Sequence, residues 1–465
     1  MRFVKHRTMN GAVVVTLAIS AVCRAATLYV PADYPTIQAC IDAAVSGVDE
    51  CVVAPGTYHE TINFLGRAIT VRSSDGADVT TIDATGIGGS VVTCSSGEGA
   101  DTALDGFTIT GGTGTDLFGG RGTYGGGMIN YPASPTVVNC TFSENTANYG
   151  GGMCNNDSNT TVTNCTFSGN SGGNGGGMYN KRSNPMVTNC TFSGNTAGDG
   201  GGMYNYSGSP TVTDCAFSGN TALYDGGGTY NISSSPALSG CTFSGNTGRY
   251  GGGGVYNRSS APTVTNCTFS GNTAGYGGGM ANGASTLTVT NCFLWGDTPD
   301  EIANIGELII SFSDVQGGLP VGAADGGGNS NVDPMFVRPP NPGPDGTWNG
   351  VDDDYGDLRL RAGSPCIDAG DPAFVAQPGE TDLDGHARVL CGRVDMGAYE
   401  FGIGDYDCDQ VVDLADFSSW QACMIGPHDV RVLALAALTA PAVQSAIDNR
   451  QLAIGCEPFD FDGDG

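Results

Sequence analysis

Two groups of carboxylates in this sequence have types and spacings that could do chemistry. Residues 405–416, DYDCDQVVDLAD, place acidic side chains at positions 1, 3, 5, 9 and 12 of a twelve-residue loop. A hard cation such as Ca²⁺ needs such an oxygen set, completed by a backbone carbonyl at position 7. Asp405, Asp407, Asp409, Asp413 and Asp416 are the candidate side-chain ligands and Val411 the candidate carbonyl, so Ca²⁺ is the expected cofactor. Gln410 stands where glycine usually makes the sharp turn of such a loop. A second loop begins with Asp460, Asp462 and Asp464 and reaches only its sixth position at Gly465. The other group is Asp199 and Asp225, which precede Gly triplets at equivalent places in neighbouring repeats. Stacked one coil apart, they would approach the ~5–5.5 Å separation that a retaining glycosidase needs between its two carboxyl groups, and their repulsion would raise one pKa.

The elements that must position these groups are set by a repeat of the form PTVTNCTFSGNTAxxGGGMYN. Cys140, Cys165, Cys190, Cys215, Cys241, Cys267 and Cys292 recur 25, 25, 25, 26, 26 and 25 residues apart, and Asn130, Asn155, Asn180, Asn205, Asn231, Asn257 and Asn282 keep similar step. Each unit holds two or three short alternating runs broken by Asn or Gly, too brief for a helix. One unit alone cannot bury its apolar side. Coils stacked at the ~4.8 Å strand spacing do so, placing Val, Cys, Phe and Met in inward columns. The expected fold is therefore all-β, a parallel β-helix solenoid with coils of about 25 residues. The Asn before each Cys and the Asn of FSGN fit turns, because Asn tolerates left-handed backbone and its amide can bond to the Asn of the next coil. Stacked Cys lie too far apart for disulfides, which need Cβ atoms ~3.5–4.5 Å apart, so free buried thiols are expected there.

The FSGN and GGGMYN units resemble the repeats of polymorphic outer membrane proteins and of right-handed parallel β-helix proteins of the pectin-lyase-like superfamily. The resemblance covers residues 119–294 and implies a fold; its members include lyases, hydrolases, adhesins and inert surface proteins, so it implies no single function.

The ends complete a five-part organisation. Residues 1–25 read as a secretory signal, with Arg2, Lys5 and Arg7, an apolar run from Gly11 to Val22 and a small residue at Ala25. No later run is apolar enough to span a membrane, so a secreted or cell-surface protein is expected. Residues 26–118 form an amino-terminal cap and first coils. There Ile37, Cys40, Ile41, Ala44 and Val45 make a helical stripe that would plug the first coil, with Cys40 and Cys51 placed for a stapling disulfide. Residues 119–316 hold the regular repeats and last coils. Residues 317–404 contain SPCIDAGDP and DLDGHARVLCGRVDMGAYEF and resemble the choice-of-anchor Q segment that follows many bacterial surface β-helices. Cys366 and Cys391 are candidates to pair across it. Its carboxylates Asp368, Asp371, Asp382, Asp384 and Asp395 read either as a hydrogen-bonded cap or as cation ligands, the cap being favoured. Residues 405–465 resemble a dockerin, a small α-helical calcium module, truncated within its second loop; Cys423 and Cys456 could bracket its helices. That resemblance implies a cohesin-like protein partner.

The chain carries 47 acidic against 18 basic residues among 465, a net charge of −29 that disfavours nucleic-acid binding. Polysaccharides and cell-surface glycans remain as ligands. Tyr179, Tyr204, Tyr230 and Tyr256 alternate with inward Met178, Met203, Thr229 and Val255, and would form an outward stripe that either stacks on sugar faces or stabilises the sheet. Lys181 and Arg182 are a weaker candidate for a lyase base and its charge clamp. Near-identical coils with small outer side chains favour a structural, adhesive or interaction surface over an enzyme. The alternative is a polysaccharide lyase or glycoside hydrolase acting around Asp199 and Asp225.

Overall fold

The computed structural model describes residues 25–348, 350–390 and 392–402. Among these, three parallel sheets run the length of a solenoid. Sheet A has 13 strands, from Thr27–Val30 to Ala324–Asp325; sheet B has 11, from Gly56–Tyr58 to Asp314–Val315; sheet C has 10, from Ile62–Asn63 to Ile302–Asn304. A shorter five-stranded sheet D, Thr146–Tyr149 to Thr247–Gly248, is built on an excursion between sheets B and C. The register is that of like over like: Phe167 pairs with Phe142 and Phe192, and Met178 with Met153 and Met203.

Like-on-like stacking fixes the core. Phe142, Phe167, Phe192, Phe217, Phe243 and Phe269 stack face to face with centroids 4.6 to 4.8 Å apart and are fully buried. The cysteines of the column, Cys140 to Cys292, are buried free thiols, as the strand spacing demands. The Asn residues before them, Asn139, Asn164, Asn189, Asn266 and Asn291, take φ between 51° and 54°, with Asp214 and Gly240 in the same left-handed turn. Inside the solenoid the FSGN asparagines form a ladder: Asn170 Nδ2 donates to Asn195 Oδ1 at 3.0 Å, and Asn195 Nδ2 to Asn220 Oδ1 at 2.9 Å. A second column makes amide-to-amide bonds from Asn130 through Asn155, Asn180, Asn205 and Asn231 to Asn257; it breaks between Asn257 and Asn282, and Asn282 Nδ2 donates to Asn304 Oδ1.

At the amino end the helix Ile37–Ala43 buries Ile37, Cys40 and Ile41 over the first coil, capped by the Thr36 hydroxyl, which accepts from Ala39 N. The Glu60 carboxylate accepts from the N–H groups of Ile37 and Gln38. The helix stops sooner than the apolar stripe suggests: Ala44 is extended and Val45 is 46% exposed. Cys40 and Cys51 are joined by a disulfide.

The solenoid also runs further than residue 316, because Ala324–Asp325 adds to sheet A and Ser330 pairs with Asp314. From about residue 333 the chain turns back as a strap along the outer face of sheet B. Phe336 meets Phe293 edge-on at 5.4 Å, Ser244 Oγ donates to Tyr355 O, Ala398 N to Thr268 Oγ1 and Asp371 N to Asn291 Oδ1. The segment thus covers a flank of the solenoid, with a small core of its own from Phe293, Phe336, Leu358, Leu360, Cys366, Ile367 and Met396. Cys366 is a free thiol there, and Cys391 lies outside the described residues. Outside them also lie the signal residues 1–24, the calcium loop Asp405 to Asp416, the partial loop Asp460 to Asp464, and Cys423 and Cys456. Among the described residues no helix is long and apolar enough to cross a membrane.

Candidate functional site

The Gly triplets create the surface on which the candidate residues meet. A Cβ added to Gly176 would lie 2.5 Å from Gly201 O, and one added to Gly201 would lie 2.5 Å from Gly227 O, so only glycine lets the excursion lie this close to the next coil. The excursion strands of sheet D consequently lie over the outer face of sheet C. They cover the tyrosine column instead of leaving it open.

Tyr179 and Tyr230 are each only 5% exposed, and Tyr204 and Tyr256 are half-buried. Their rings stack at 5.0 to 5.4 Å, and Tyr149 from the excursion packs on Tyr179. Of the two readings of this column, burial accords with rings that stabilise the sheet: alternation gives the side on which a ring stands, and the excursion then buries it. More exposed rings belong to the excursion itself. Tyr224, Tyr250 and Tyr276 are 52%, 48% and 44% exposed, with Tyr224 and Tyr250 stacked at 6.2 Å and the Arg249 guanidinium 5.5 Å from the Tyr250 centroid. Sequence reasoning missed these three rings as an exposed set, although Tyr224 and Tyr250 lie on consecutive coils. The available signal was the extra residue that makes these two coils 26 long.

Asp199 and Asp225 sit between the two tyrosine sets. Asn174 pairs directly with Asp199, and Asp225 follows one coil on. Asp199 Oδ1 accepts from Asp225 N at 3.2 Å, and Asp225 Oδ1 accepts from Gly251 N at 2.9 Å. Burial raises the pKa of both; the Arg258 guanidinium and the Gly251 N–H work against this at Asp225. Asp199 acts on Tyr204 and Tyr230, and Asp225 on Tyr230 and Tyr256, while the Arg258 guanidinium charge acts on Tyr230. What read as two independent columns is one patch of carboxylates, phenols and guanidinium. Both carboxylates lean the same way, each tied to the backbone of the following coil. The Asp225 carboxylate lies near enough to add to the rise at Asp199.

The remaining candidates are otherwise engaged. Arg182 makes two 2.6 Å bonds to Asp157 and does not stand as a free charge clamp beside Lys181. Asp382, Asp384 and His386 come together in the strap. Both oxygens of Asp382, however, accept backbone N–H groups, from Asp384 and His386 on one side and Glu400 on the other, and Asp384 pairs with Arg359. Asp395 likewise accepts from Asp368 N and Phe401 N. These carboxylates organise the strap's own loops.

The family model for the right-handed β-helix region matches residues 63–220 and 125–294. With the parallel like-on-like topology, this makes the chain a right-handed parallel β-helix. Among solved structures it is similar to pectate lyase Pel9A, at 16% identity and a TM-score of 0.49, covering 81% of this chain and 96% of that one. It is also similar to a pectin methylesterase from carrot, at 13% identity and a TM-score of 0.33, covering 67% and 90%. The alginate lyase AlyGC of family PL6 is 12% identical with a TM-score of 0.33, covering 77% and 60%. No curated protein matches the sequence.

Proposed function

We propose that this chain is a secreted or surface-displayed β-helix that binds polysaccharide along its coils without cleaving it. The observation that carries the reading is the row of exposed rings Tyr224, Tyr250 and Tyr276 beside half-buried Asp199 and Asp225 and the guanidinium groups of Arg249 and Arg258. Rings that are apolar on the face and polar at the edge suit stacking on sugars, and the flanking charges suit hydroxyl recognition. The test is affinity electrophoresis of the full chain on neutral and acidic polysaccharides, run beside assays for new reducing ends and unsaturated products. Retardation without products is expected, and replacing Tyr224 and Tyr250 together by Ala should weaken it about tenfold, from ~0.5–1.5 kcal/mol per lost ring contact. Product formation that disappears in Asp199→Asn or Asp225→Asn would instead establish the hydrolase or lyase alternative.

The calcium module forms the second part of the proposal. Residues 405–416 bind Ca²⁺ through Asp405, Asp407, Asp409, Asp413, Asp416 and the Val411 carbonyl, and the module they belong to docks a cohesin-like partner. Support comes from the oxygen spacing alone. Calorimetry of the full chain should show Ca²⁺ binding that the double replacement of Asp405 and Asp409 by Ala removes; unchanged heats would refute the ligand assignment.

A further inference from the structure

The interior asparagine ladder does not end on an asparagine. From Asn170 through Asn195, Asn220 and Asn246 to Asn272, each side-chain oxygen accepts from the backbone and amide N–H groups of the asparagine one coil before it, beginning with Asn145. The next residue in the column is Asp297, whose Oδ1 accepts from Asn272 N and Nδ2 at 2.7 and 2.8 Å. Glu301 folds back onto the same turn, its Oε1 accepting from Gly296 N and Asp297 N at 3.0 and 3.2 Å. Gln316 Oε1 accepts from Gly296 N as well, at 2.7 Å, which ties the far end of this coil to the same point.

One oxygen of each acid is left over. Asp297 Oδ2 and Glu301 Oε2 are buried and accept from no N–H or O–H, in residues each only 7% exposed, and the two carboxyls are within hydrogen-bonding reach of each other. Two ionised carboxylates cannot be left facing one another in a dry interior; a cation or a proton must lie between them. A divalent cation needs about six to eight oxygens. The neighbouring carbonyls are already taken: Glu301 O accepts from Met280 N, and Thr298 O from Ala274 N.

We propose that Asp297 and Glu301 share one proton in a carboxyl–carboxylate hydrogen bond, which latches the last full coil, residues 296–316, to the solenoid and releases it when the proton leaves at alkaline pH. The nearby groups do not neutralise the pair in another way. Gly279 and Asn272, packed against it, are uncharged; Gln316 is neutral; the Asp300 carboxylate is turned to Gly277 N. Burial is the main cause that holds both carboxyls above their ordinary values of 3.8 and 4.5. A group whose folded pKa is raised contributes stability that is complete below the unfolded value and lost as pH rises through the folded one. The latch is therefore closed in acid and weakens as pH rises above that of an ordinary carboxyl.

Hydrogen exchange of the full chain across neutral to alkaline pH, corrected for intrinsic exchange, reads this directly. Opening of residues 296–316 should increase by up to tenfold per pH unit, the slope of one released proton, relative to the coil of residues 161–185. Asp297→Asn restores the residue of the other rungs, and its amide donates to Glu301 Oε2 without a shared proton, so its opening should be flat with pH. Should that variant fail to fold, Glu301→Gln supplies the same donor and the same expectation. Equal slopes in the wild type and the variant, or a flat wild type, overturn the proposal. Protection of the coil by added CaCl₂ in the wild type but not in the variant would overturn it in favour of a cation site.

Discussion

Phe192→Ala is expected to lower the stability of the solenoid by about 3–5 kcal/mol, the usual cost of truncating a buried aromatic ring in a close-packed core. Phe192 has no exposed surface and stacks on two rings, Phe167 at 4.8 Å and Phe217 at 4.7 Å, nearly parallel to both. The neighbouring coils are held in register by backbone hydrogen bonds on all three sheets, so they cannot close over the gap. A cavity forms, and two stacking contacts are lost with the transfer energy of the ring. Stability in a solenoid is close to a sum of coil and interface terms, so the loss falls on the two interfaces that Phe192 joins. Urea unfolding followed by circular dichroism measures it. A change below about 1 kcal/mol would mean that the ring is not part of a filled column.

That prediction could be made from the sequence because the repeat carries its own register. A β-helix places residue i above residue i ± 25, so the columns of Phe, Cys and Met, the left-handed Asn turns and the interior amide ladder all follow from one period. What escaped has physical reasons. The strap makes contacts 80 and 130 residues apart in sequence with no period to reveal them, as between Asp371 and Asn291 or Ala398 and Thr268. Its docking is marked only by departures from the repeat: Phe293 stands where most coils carry an outward Thr, and Asp214 replaces an Asn and feels the buried Arg388 of the strap. The tyrosine column was placed on the correct side by alternation, yet its burial depends on how the glycine-rich excursion lies, which alternation does not encode. Asp199 and Asp225 were legible as neighbours. Their shared lean toward the next coil required the hydrogen bonds to Asp225 N and Gly251 N.

Asn195→Ala should cost about 3 kcal/mol or more, with the loss coming from orphaned polar groups and little from cavity volume. Asn195 Oδ1 accepts from Asn170 N at 3.0 Å and from Asn170 Nδ2 at 3.0 Å, while its own Nδ2 donates to Phe167 O at 2.8 Å and Asn220 Oδ1 at 2.9 Å. Alanine leaves the backbone N–H of Asn170 and one of its amide hydrogens without acceptors in a fully buried place, and removes the donor to Phe167 O. Each unsatisfied buried group costs about 1–3 kcal/mol. Asn195→Asp separates the two halves of the residue's role: the carboxylate still accepts from Asn170, but it cannot donate and it confronts the oxygen of Asn220. It should therefore destabilise at neutral pH and recover in acid, when protonation supplies an O–H for Asn220. Urea unfolding of both variants at neutral and acid pH checks this; an Asp variant as stable as wild type at neutral pH would mean that the ladder needs no donor at this rung. The same reasoning explains why Asp appears only at the last rung, Asp297, where no further asparagine waits to receive a hydrogen bond and Glu301 stands in its place.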